Sequence, residues 1–440
     1  MEHPSLHFAR AVLAFAGLLA AFSPAGATAQ PLTLHAAVQA ALAHSRSLDA
    51  STAAAQGARD MAVAAAQRPD PVLRLSIEDL PVDGSDRFRP SATMRSIALM
   101  QPLPGADKRR ARGVRFEREA DAALSERAER AAILQAEAAQ AWLERHLQEQ
   151  RQQVLQAQIA EAQVLVQSLE GTVRGGTTAP ADALLAREAL LQLEQGLIAA
   201  KAELSNARLT LARYTGTPPD HPLGDPPAYQ RLQNPALASD LRSGPNALPA
   251  LPDLIALQAR EAVAKADVEL AQQELTPDWS AEVMFTQRSA PSANTLSIGV
   301  SVPLQWNRPQ RQQRELAARL ARVAELEGER EEQTRERLLQ VQRWQQEWRA
   351  GLERIAHLDA RRQPLAEQRI AVALAAYRGG REPLGPVLQA RRDALSLALE
   401  RLTLERETAG LWARLEFLTP ITAHPLVSLN APNAQAGERP

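Results

Sequence analysis

The side chains that could do chemistry are few and scattered in this sequence of 440 residues. It has eight histidines and no cysteine, so thiol catalysis, disulfides and cysteine-based zinc sites are excluded. No histidine pair stands at metal-site spacing with carboxylate support, and we expect His44 and His357 to be surface or interface residues. The sequence has no nucleophile elbow, phosphate-binding loop or dinucleotide motif. We therefore predict no enzymatic activity, no cofactor and no bound metal.

The overall composition favours long helices. The formal net charge is −1, which gives no basic field for a nucleic-acid partner. Aromatic residues make up only 4% of the chain, while Ala, Leu, Gln, Arg and Glu are abundant. Such a composition is typical of helices packed through small and medium side chains. On these grounds alone, an ordinary helical bundle remains an open alternative.

The first 29 residues have the pattern of a secretory signal peptide. Arg10 precedes the apolar run AVLAFAGLLAAF, and the small residues Ala27–Ala29 suit cleavage near Ala29. A run of about twelve apolar residues is too short for a membrane anchor. No later segment has an apolar run long enough to span a bilayer as a helix. We therefore expect an exported protein, in which any membrane crossing uses strands.

A short phrase occurs twice and marks two hairpin tips. RGGTTAPADALLAR begins at Arg174, and RGGREPLGPVLQAR begins at Arg378, which is 378 − 174 = 204 residues later. Two glycines end a helical pattern in each copy. Pro180 with Asp182, and Pro383 with Pro386, then signal the start of the next helix. We interpret the phrases as the tips of two tandem, similar halves.

Each half has the same order of predicted elements. In the first, a helix capped by Thr33 runs to about Gln67, VLRLSIE and MRSIALMQPL form a β-hairpin, and a helix covers about 107–170. At 1.5 Å per residue, that helix is about 95 Å long. The second half has a helix at about 254–274, strands WSAEVMFT and TLSIGVSVPL, and a helix at about 310–362 that Pro364 kinks without ending. Apolar residues at near-heptad spacing predict that these helices pack lengthwise as coiled coils.

The predicted division of the chain follows from this order. It comprises a signal peptide (1–29), a first repeat (30–214), a Pro-rich linker (215–252), a second repeat (253–419) and a disordered tail (420–440). After each tip the chain is expected to return as a helix, over about 183–214 and 387–418.

The four strands alternate apolar and polar residues at a length that suits a tilted membrane crossing. Four strands cannot close a barrel, and open edges are not tolerated in lipid. The predicted fold is therefore mainly α, with coiled-coil helices forming an α-barrel and four strands per chain in a trimeric, twelve-stranded β-barrel. Two hairpins capping a soluble bundle are the alternative. The predicted lipid-facing residues are Leu73, Leu75, Ile77, Trp279, Val283, Phe285, Leu296, Ile298 and Val300.

Together, these features resemble the TolC family of outer-membrane efflux proteins over about 32–418. The tips have the forms G-x-x-x-x-x-D and Y-x-x-G, and QPLPGADKRRARG resembles a signature of the cation-efflux (CzcC-like) branch. The resemblance implies a homotrimeric tunnel through the outer membrane and periplasm. Its implied partners are outer-membrane lipid, a periplasmic adaptor (membrane fusion protein) and an inner-membrane pump of the RND type.

The resemblance also implies that the tips hold the gate and dock the adaptor. Asp182 matches the aspartate of the first tip, and Tyr377 and Gly380 match conserved residues of the second. The predicted tip residues are Arg174, Gly175, Gly176, Asp182, Tyr377, Arg378, Gly379, Gly380, Arg381, Glu382 and Gln389. This sequence departs from the family at Pro386 and Gln389, where known members carry acidic pore residues, and at Glu382, where they carry a gating arginine. We therefore do not expect the same constriction or salt bridge.

A periplasmic coiled-coil adaptor is the alternative function. Such a protein needs long helices but no lipid-facing strands, and typically has a compact β-rich module flanking a single hairpin. Two hairpins with apolar faces inside duplicated halves favour the channel. The cargo is open: PGADKRRARG favours metal cations, with drugs or small organic molecules close behind.

Overall fold

The computed structural model describes residues 30–80, 83, 93–175, 179–234, 251–288 and 292–420. The predicted signal peptide, almost all of the predicted tail and Gly176 lie outside the described residues. In chain order the elements are α1 (Leu34–His44), α2 (Arg46–Ala66), β1 (Val72–Glu78), β2 (Met94–Leu103), α3 (Ala106–Arg174), α4 (Pro180–Thr215), α5 (Pro252–Gln273), β3 (Trp279–Arg288), β4 (Thr295–Ser301), α6 (Gln312–His357), a π-helical turn (Leu358–Arg362), α7 (Gln363–Arg378) and α8 (Gly385–Glu416). The prediction of a mainly helical chain with four strands is confirmed.

The strands form one antiparallel sheet in the order β1-β2-β3-β4. The predicted bounds of β1 and β2 are confirmed, and β3 extends to Arg288. The prediction that β4 reaches Leu304 is wrong, since the strand ends at Ser301. The partner strand β3 begins at Trp279, so residues beyond Ser301 have almost no strand left to pair with. In addition, Pro303 has no backbone N–H to donate to a strand partner.

The prediction of one helix from Thr33 to Gln67 is wrong, because the chain bends at Ser45, which has an extended ψ of 105°. The cap itself is confirmed: Thr33 Oγ1 accepts a hydrogen bond from the Ala36 N–H at 3.2 Å. At the bend, His44 packs against Gly216, where a Cβ atom would lie 2.9 Å from His44 Nδ1. The bend lets α1 pack against α4 while α2 continues along α3.

The two long helical stretches differ in continuity. Helix α3 has 69 residues and is about 100 Å long. In the second stretch a π-helical turn separates α6 from α7, and the Gln363 N–H bonds to the Leu358 oxygen, five residues back. Pro364 follows at once and has no N–H for the carbonyl four residues earlier. The prediction that the helical stretch continues past Pro364 is confirmed.

Three tryptophans attach the irregular segments to the helices. The indole N–H groups of Trp142, Trp348 and Trp412 donate to the backbone oxygens of Leu32 at 2.7 Å, Tyr229 at 3.1 Å and Arg231 at 2.8 Å. All three rings are buried in the largest apolar core. Because each indole N–H has a partner, these rings are buried without leaving an unpaired donor. Residues 223–234, called the belt below, are thus attached to α6 and α8, and Leu32 is attached to α3.

Candidate functional site

One face of the sheet is apolar and exposed. The strand register aligns Leu73, Leu99, Val283 and Ile298 in one row across all four strands. The next row consists of Leu75, Ile97, Phe285 and Leu296. All eight side chains are at least 44% exposed, and the other predicted lipid-facing residues, Ile77, Trp279 and Val300, are exposed too. A continuous apolar surface of this kind indicates a membrane or protein contact.

The other face of the sheet is mostly polar. Arg74, Ser76 and Glu78 lie on this face of β1. In the two central strands, Ser96 and Thr286 are buried, and their hydroxyl oxygens are 3.2 Å apart, in hydrogen-bonding distance. The apolar face is therefore exposed, whereas the polar face is buried at its centre and exposed at β1. In a water-soluble hairpin the apolar face is the one that is covered.

Exposed apolar side chains also occur past the end of β4, at Leu304 and at Trp306, which is 87% exposed. The loop that carries it is ordered by hydrogen bonds, with Trp306 N–H donating to the Leu304 oxygen at 3.0 Å and Gln305 Nε2 donating to the Glu274 oxygen at 3.1 Å. Exposed Arg308 and Arg311 follow. An exposed indole beside arginines is typical of a membrane interface. The sequence analysis missed this group, although QWNRPQR contains it.

Lys108 connects the long helix to the sheet. Its ammonium group donates to Asp278 Oδ1 at 2.8 Å and to the Thr276 oxygen at 3.1 Å. The Lys108 side chain is only 8% exposed, against 36% for Asp278. This contact joins the first turn of α3 to the segment that leads into β3. It therefore helps to fix the position of the sheet relative to α3. In the sequence, Lys108 stands out only as part of QPLPGADKRRARG, and nothing there marks it as buried.

The first tip has a charged residue at each helix end. Arg174 is the last residue of α3, and the N–H of Gly175 bonds to the Gly171 oxygen at 3.1 Å. Asp182 is half-buried in the first turn of α4. A basic residue at a helix C-terminus and an acidic one at an N-terminus both complement the helix dipole. Arg187 and Glu170 pair at 2.7 Å across the hairpin.

At the second tip, two glycines close α7. The Arg381 N–H bonds to the Ala376 oxygen and the Gly380 N–H to the Tyr377 oxygen, both at 3.0 Å. This pair of bonds is the Schellman motif, which requires a left-handed residue. Gly380 supplies it with a φ of 65°. Arg378, Gly379, Arg381 and Glu382 are all exposed around this turn.

The two tips share one apolar core, which the sequence analysis did not identify. Leu384 is completely buried between the tips and packs with Leu169 of α3 and Ala186 of α4. Tyr377 packs against the same cluster. Leu384 stands between prolines and glycine in EPLGP, so no helical period marks it as a core residue.

Two ion pairs lie where the resemblance implied a gate. Exposed Gln389 donates to Asp393 Oδ1 at 2.8 Å, and Asp393 pairs with Arg369 of α7 at 3.1 Å. Arg391 and Glu161 are 3.5 Å apart and connect α8 to α3. Polar links between neighbouring helices are thus present near the tips, on residues that the sequence analysis did not select.

A chain of charges fixes the π-helical turn to the belt. Arg401 Nε donates to Asp359 Oδ1 at 2.6 Å, and Arg401 NH1 donates to Glu405 at 2.8 Å. Glu405 accepts a second hydrogen bond from the Tyr229 hydroxyl at 2.7 Å. Burial raises the pKa of Tyr229, and the bond to Glu405 adds to this shift. The π-helical turn is therefore linked to α8 and, through Glu405, to Tyr229.

In the part of the chain that the structure describes, no group of three or more histidine, aspartate or glutamate side chains is arranged to hold a metal ion. No described helix combines the length and the apolar character needed to cross a membrane.

Comparison with known proteins identifies the fold. No family model and no curated protein matches the sequence significantly. Solved structures do match. CusC, described by its folding and transmembrane channel formation, has a TM-score of 0.74 and 16% identity over 89% of this chain and 93% of its own.

Two other matches are outer-membrane channels. OprN has a TM-score of 0.69 and 20% identity, covering 88% of this chain and 90% of its own. CmeC of Campylobacter jejuni has a TM-score of 0.72 and 12% identity, covering 88% of this chain and 85% of its own. These likenesses show that the chain has the same fold as these channel proteins, as the sequence predicted.

Proposed function

We propose that this protein is a TolC-family outer-membrane channel, the outer component of a tripartite efflux system. The observation that supports it best is the sheet, one face of which is apolar and exposed, whereas the other is mostly polar, with Ser96 and Thr286 buried at its centre. Such a sheet suits lipid on one side and an aqueous lumen on the other. The helices attached to it are about 100 Å long, which allows the same chain to cross the periplasm.

Closure of the channel requires other copies of the chain. In the described sheet, β1 and β4 each pair on one side only. An unpaired strand edge leaves N–H and C=O groups without partners in lipid. Three copies supply twelve strands, enough for a closed barrel with a lumen. We propose a homotrimer in which the two structural repeats of each chain, at 30–214 and 253–419, surround one tunnel.

The mechanism that we propose is passive conduction. An inner-membrane pump, of the RND type, supplies energy and selectivity, and a periplasmic adaptor connects it to the tips. Adaptor contact with 174–182 and 377–389 moves the tip hairpins relative to one another and opens the tunnel. The shared core around Leu384 joins the two tips of one chain, so we expect the movement that opens the tunnel to occur between the tip pairs of neighbouring chains.

The cargo proposed first is metal cations, followed by drugs or small organic molecules. Metal cations are favoured by the resemblance of PGADKRRARG to the cation-efflux branch. Within this stretch, however, Lys108 contacts Asp278 and Arg109 contacts the Ala66 oxygen. These contacts give the stretch a structural role at the junction between helix and sheet, which weakens it as an argument for metal cargo. Susceptibility of a deletion strain to metal salts and to drugs, with and without the restored gene, separates the two classes.

Membrane extraction tests the channel against the adaptor alternative. Inner and outer membranes are separated by density and washed with alkali, which releases peripheral proteins. The channel is expected in the outer-membrane pellet after the wash, with release only by detergent. Recovery in the alkaline wash or with the inner membrane would favour the periplasmic adaptor.

A further inference from the structure

Methionine is concentrated on the polar face of the sheet. The chain has five methionines, of which Met1 belongs to the predicted signal peptide. Met94 and Met100, six residues apart in β2, share a face of the sheet. Met284 of β3 lies on the same face, because it pairs with Ala98. All three side chains are half-buried.

The need to fill space does not explain the choice of methionine at these positions. The face otherwise carries mainly serine, threonine, small and charged residues. Leucine fills a similar volume and is abundant in this chain, yet none of the four described strands places a leucine on this face. A thioether differs from an aliphatic side chain in its polarizable sulfur, which binds soft metal ions. The property that methionine adds to this face is therefore a soft ligand.

Met100 and Met284 are close enough to act together. Met284 pairs with Ala98, whereas Met100 pairs with Glu282, so the two methionines are diagonal neighbours on adjacent strands. Diagonal neighbours lie about 7–8 Å apart, within reach of long, flexible side chains. Glu282 is half-buried, and its carboxylate has no hydrogen bond or ion pair within the described part of the chain.

One cationic residue lies beside this group. Arg74 of β1 is diagonal to Met100, since it pairs with Ala98. Its side chain is exposed, so that water and salt screen its charge. Neutral thioethers bind a metal ion through the sulfur lone pair rather than through a charge. Arg74 therefore does not prevent two thioethers and a carboxylate from meeting one ion.

We propose that Met100 and Met284, together with Glu282, form a transient binding position for soft monovalent cations, Cu⁺ or Ag⁺, on the wall of the lumen. This inference rests on the proposed function and narrows its cargo. Thioether ligands select Cu⁺, whereas harder cations prefer oxygen ligands alone. The carboxylate of Glu282 offsets the charge of the ion. Conduction requires binding weak enough to release the ion, and few ligands on a hydrated face meet this requirement.

Silver binding to the purified, detergent-extracted protein tests the position. Ag⁺ is titrated by equilibrium dialysis in a nitrate buffer without chloride. Met100→Leu/Met284→Leu keeps the volume of both side chains and removes both sulfur atoms. We expect this variant to bind about one Ag⁺ per chain fewer than the unmodified protein. Met61→Leu is the matched control, because Met61 is a 48% exposed methionine of α2, outside the sheet, and the control should bind as much Ag⁺ as the unmodified protein.

The outcomes separate this inference from the proposed function. A loss of bound Ag⁺ in the double variant alone supports the inference. Unchanged binding overturns it, as does an equal loss in Met61→Leu. The single variants Met100→Leu and Met284→Leu serve if the double variant does not fold: each is expected to show the same loss, and unchanged binding in both overturns the inference. Recovery of the unmodified protein as a soluble monomer contradicts the proposed function itself, whereas a detergent-extracted trimer without this Ag⁺ position contradicts only the inference.

Discussion

Lys108 Nζ lies 2.8 Å from Asp278 Oδ1, so that the first turn of the longest helix is paired with the segment that enters β3. Lys108→Met removes this pair and leaves Asp278 without its cation. We expect a loss of about 1–3 kcal/mol in the free energy of unfolding, because Lys108 is buried and Asp278 is partly hydrated. Thermal denaturation in detergent measures it.

The matched control is Arg110→Met. Arg110 pairs with Asp107 at 3.0 Å in the same turn of α3, but both side chains are at least 70% exposed. Exposed pairs contribute under about 1 kcal/mol. Equal losses in the two variants would show that Lys108 does not hold the junction.

Val283 and Met284 are adjacent in β3 and point to opposite faces of the sheet. Val283 lies in the exposed apolar row, whereas Met284 pairs with Ala98 and Ser297 on the other face. Val283→Arg is expected to reduce the amount of protein in the outer membrane, since an arginine in lipid costs about 2–4 kcal/mol at mid-depth. Met284→Arg should be tolerated. The opposite ranking would assign lipid to the polar face.

The left-handed turn at Gly380 gives a prediction for the second tip. Gly380→Val is expected to destabilise the turn by about 1–2 kcal/mol, because φ is 65° and no neighbouring atom lies within 4 Å of the added Cβ. The cause is then backbone strain alone. Limited proteolysis of the tip and resistance to exported compounds measure the effect.

Gly171→Ala is the control for Gly380→Val. Gly171 lies in the last turn of α3, with open space for a Cβ atom. Replacing a helical glycine by alanine should stabilise the helix by about 0.5–1 kcal/mol. If Gly380→Val left both proteolysis and efflux unchanged, the tip would not depend on this turn.

The burial of His146 predicts that the stability of the folded protein depends on pH. It stacks on Trp142 with ring centroids 5.4 Å apart, and burial lowers its pKa. The unfolded chain therefore binds the proton at a higher pH than the folded chain, and stability falls as pH drops below about 6.5. The thermal midpoint should decrease between pH 7.5 and 5. The decrease should be smaller in His146→Gln, and an identical decrease would exclude His146 as its source.

Strand and tip positions could be predicted from the sequence because their signals are local. Alternation of apolar and polar residues in VLRLSIE fixed the limits of β1, and paired glycines followed by proline located both tips. The bend at Ser45 could not be predicted. No breaker residue stands there, and the contact of His44 with Gly216 brings together parts of the chain far apart in sequence.

The residues that join elements were harder to find than the elements. Lys108 looks like an ordinary surface lysine of a charged helix, and only its burial against Thr276 and Asp278 shows its role. Leu184 lies within the repeated phrase, but its 66% exposure, against 6% for its counterpart Leu388, could be read only from the structure.

We propose that three chains close one channel in the outer membrane. This is tested by the mass of the particle that detergent extracts from purified outer membranes, measured by light scattering with correction for bound detergent. We expect three chains of 47.8 kDa, less the signal peptide. A monomer or dimer, or a protein released without detergent, would contradict it, because four strands alone cannot close a barrel in lipid.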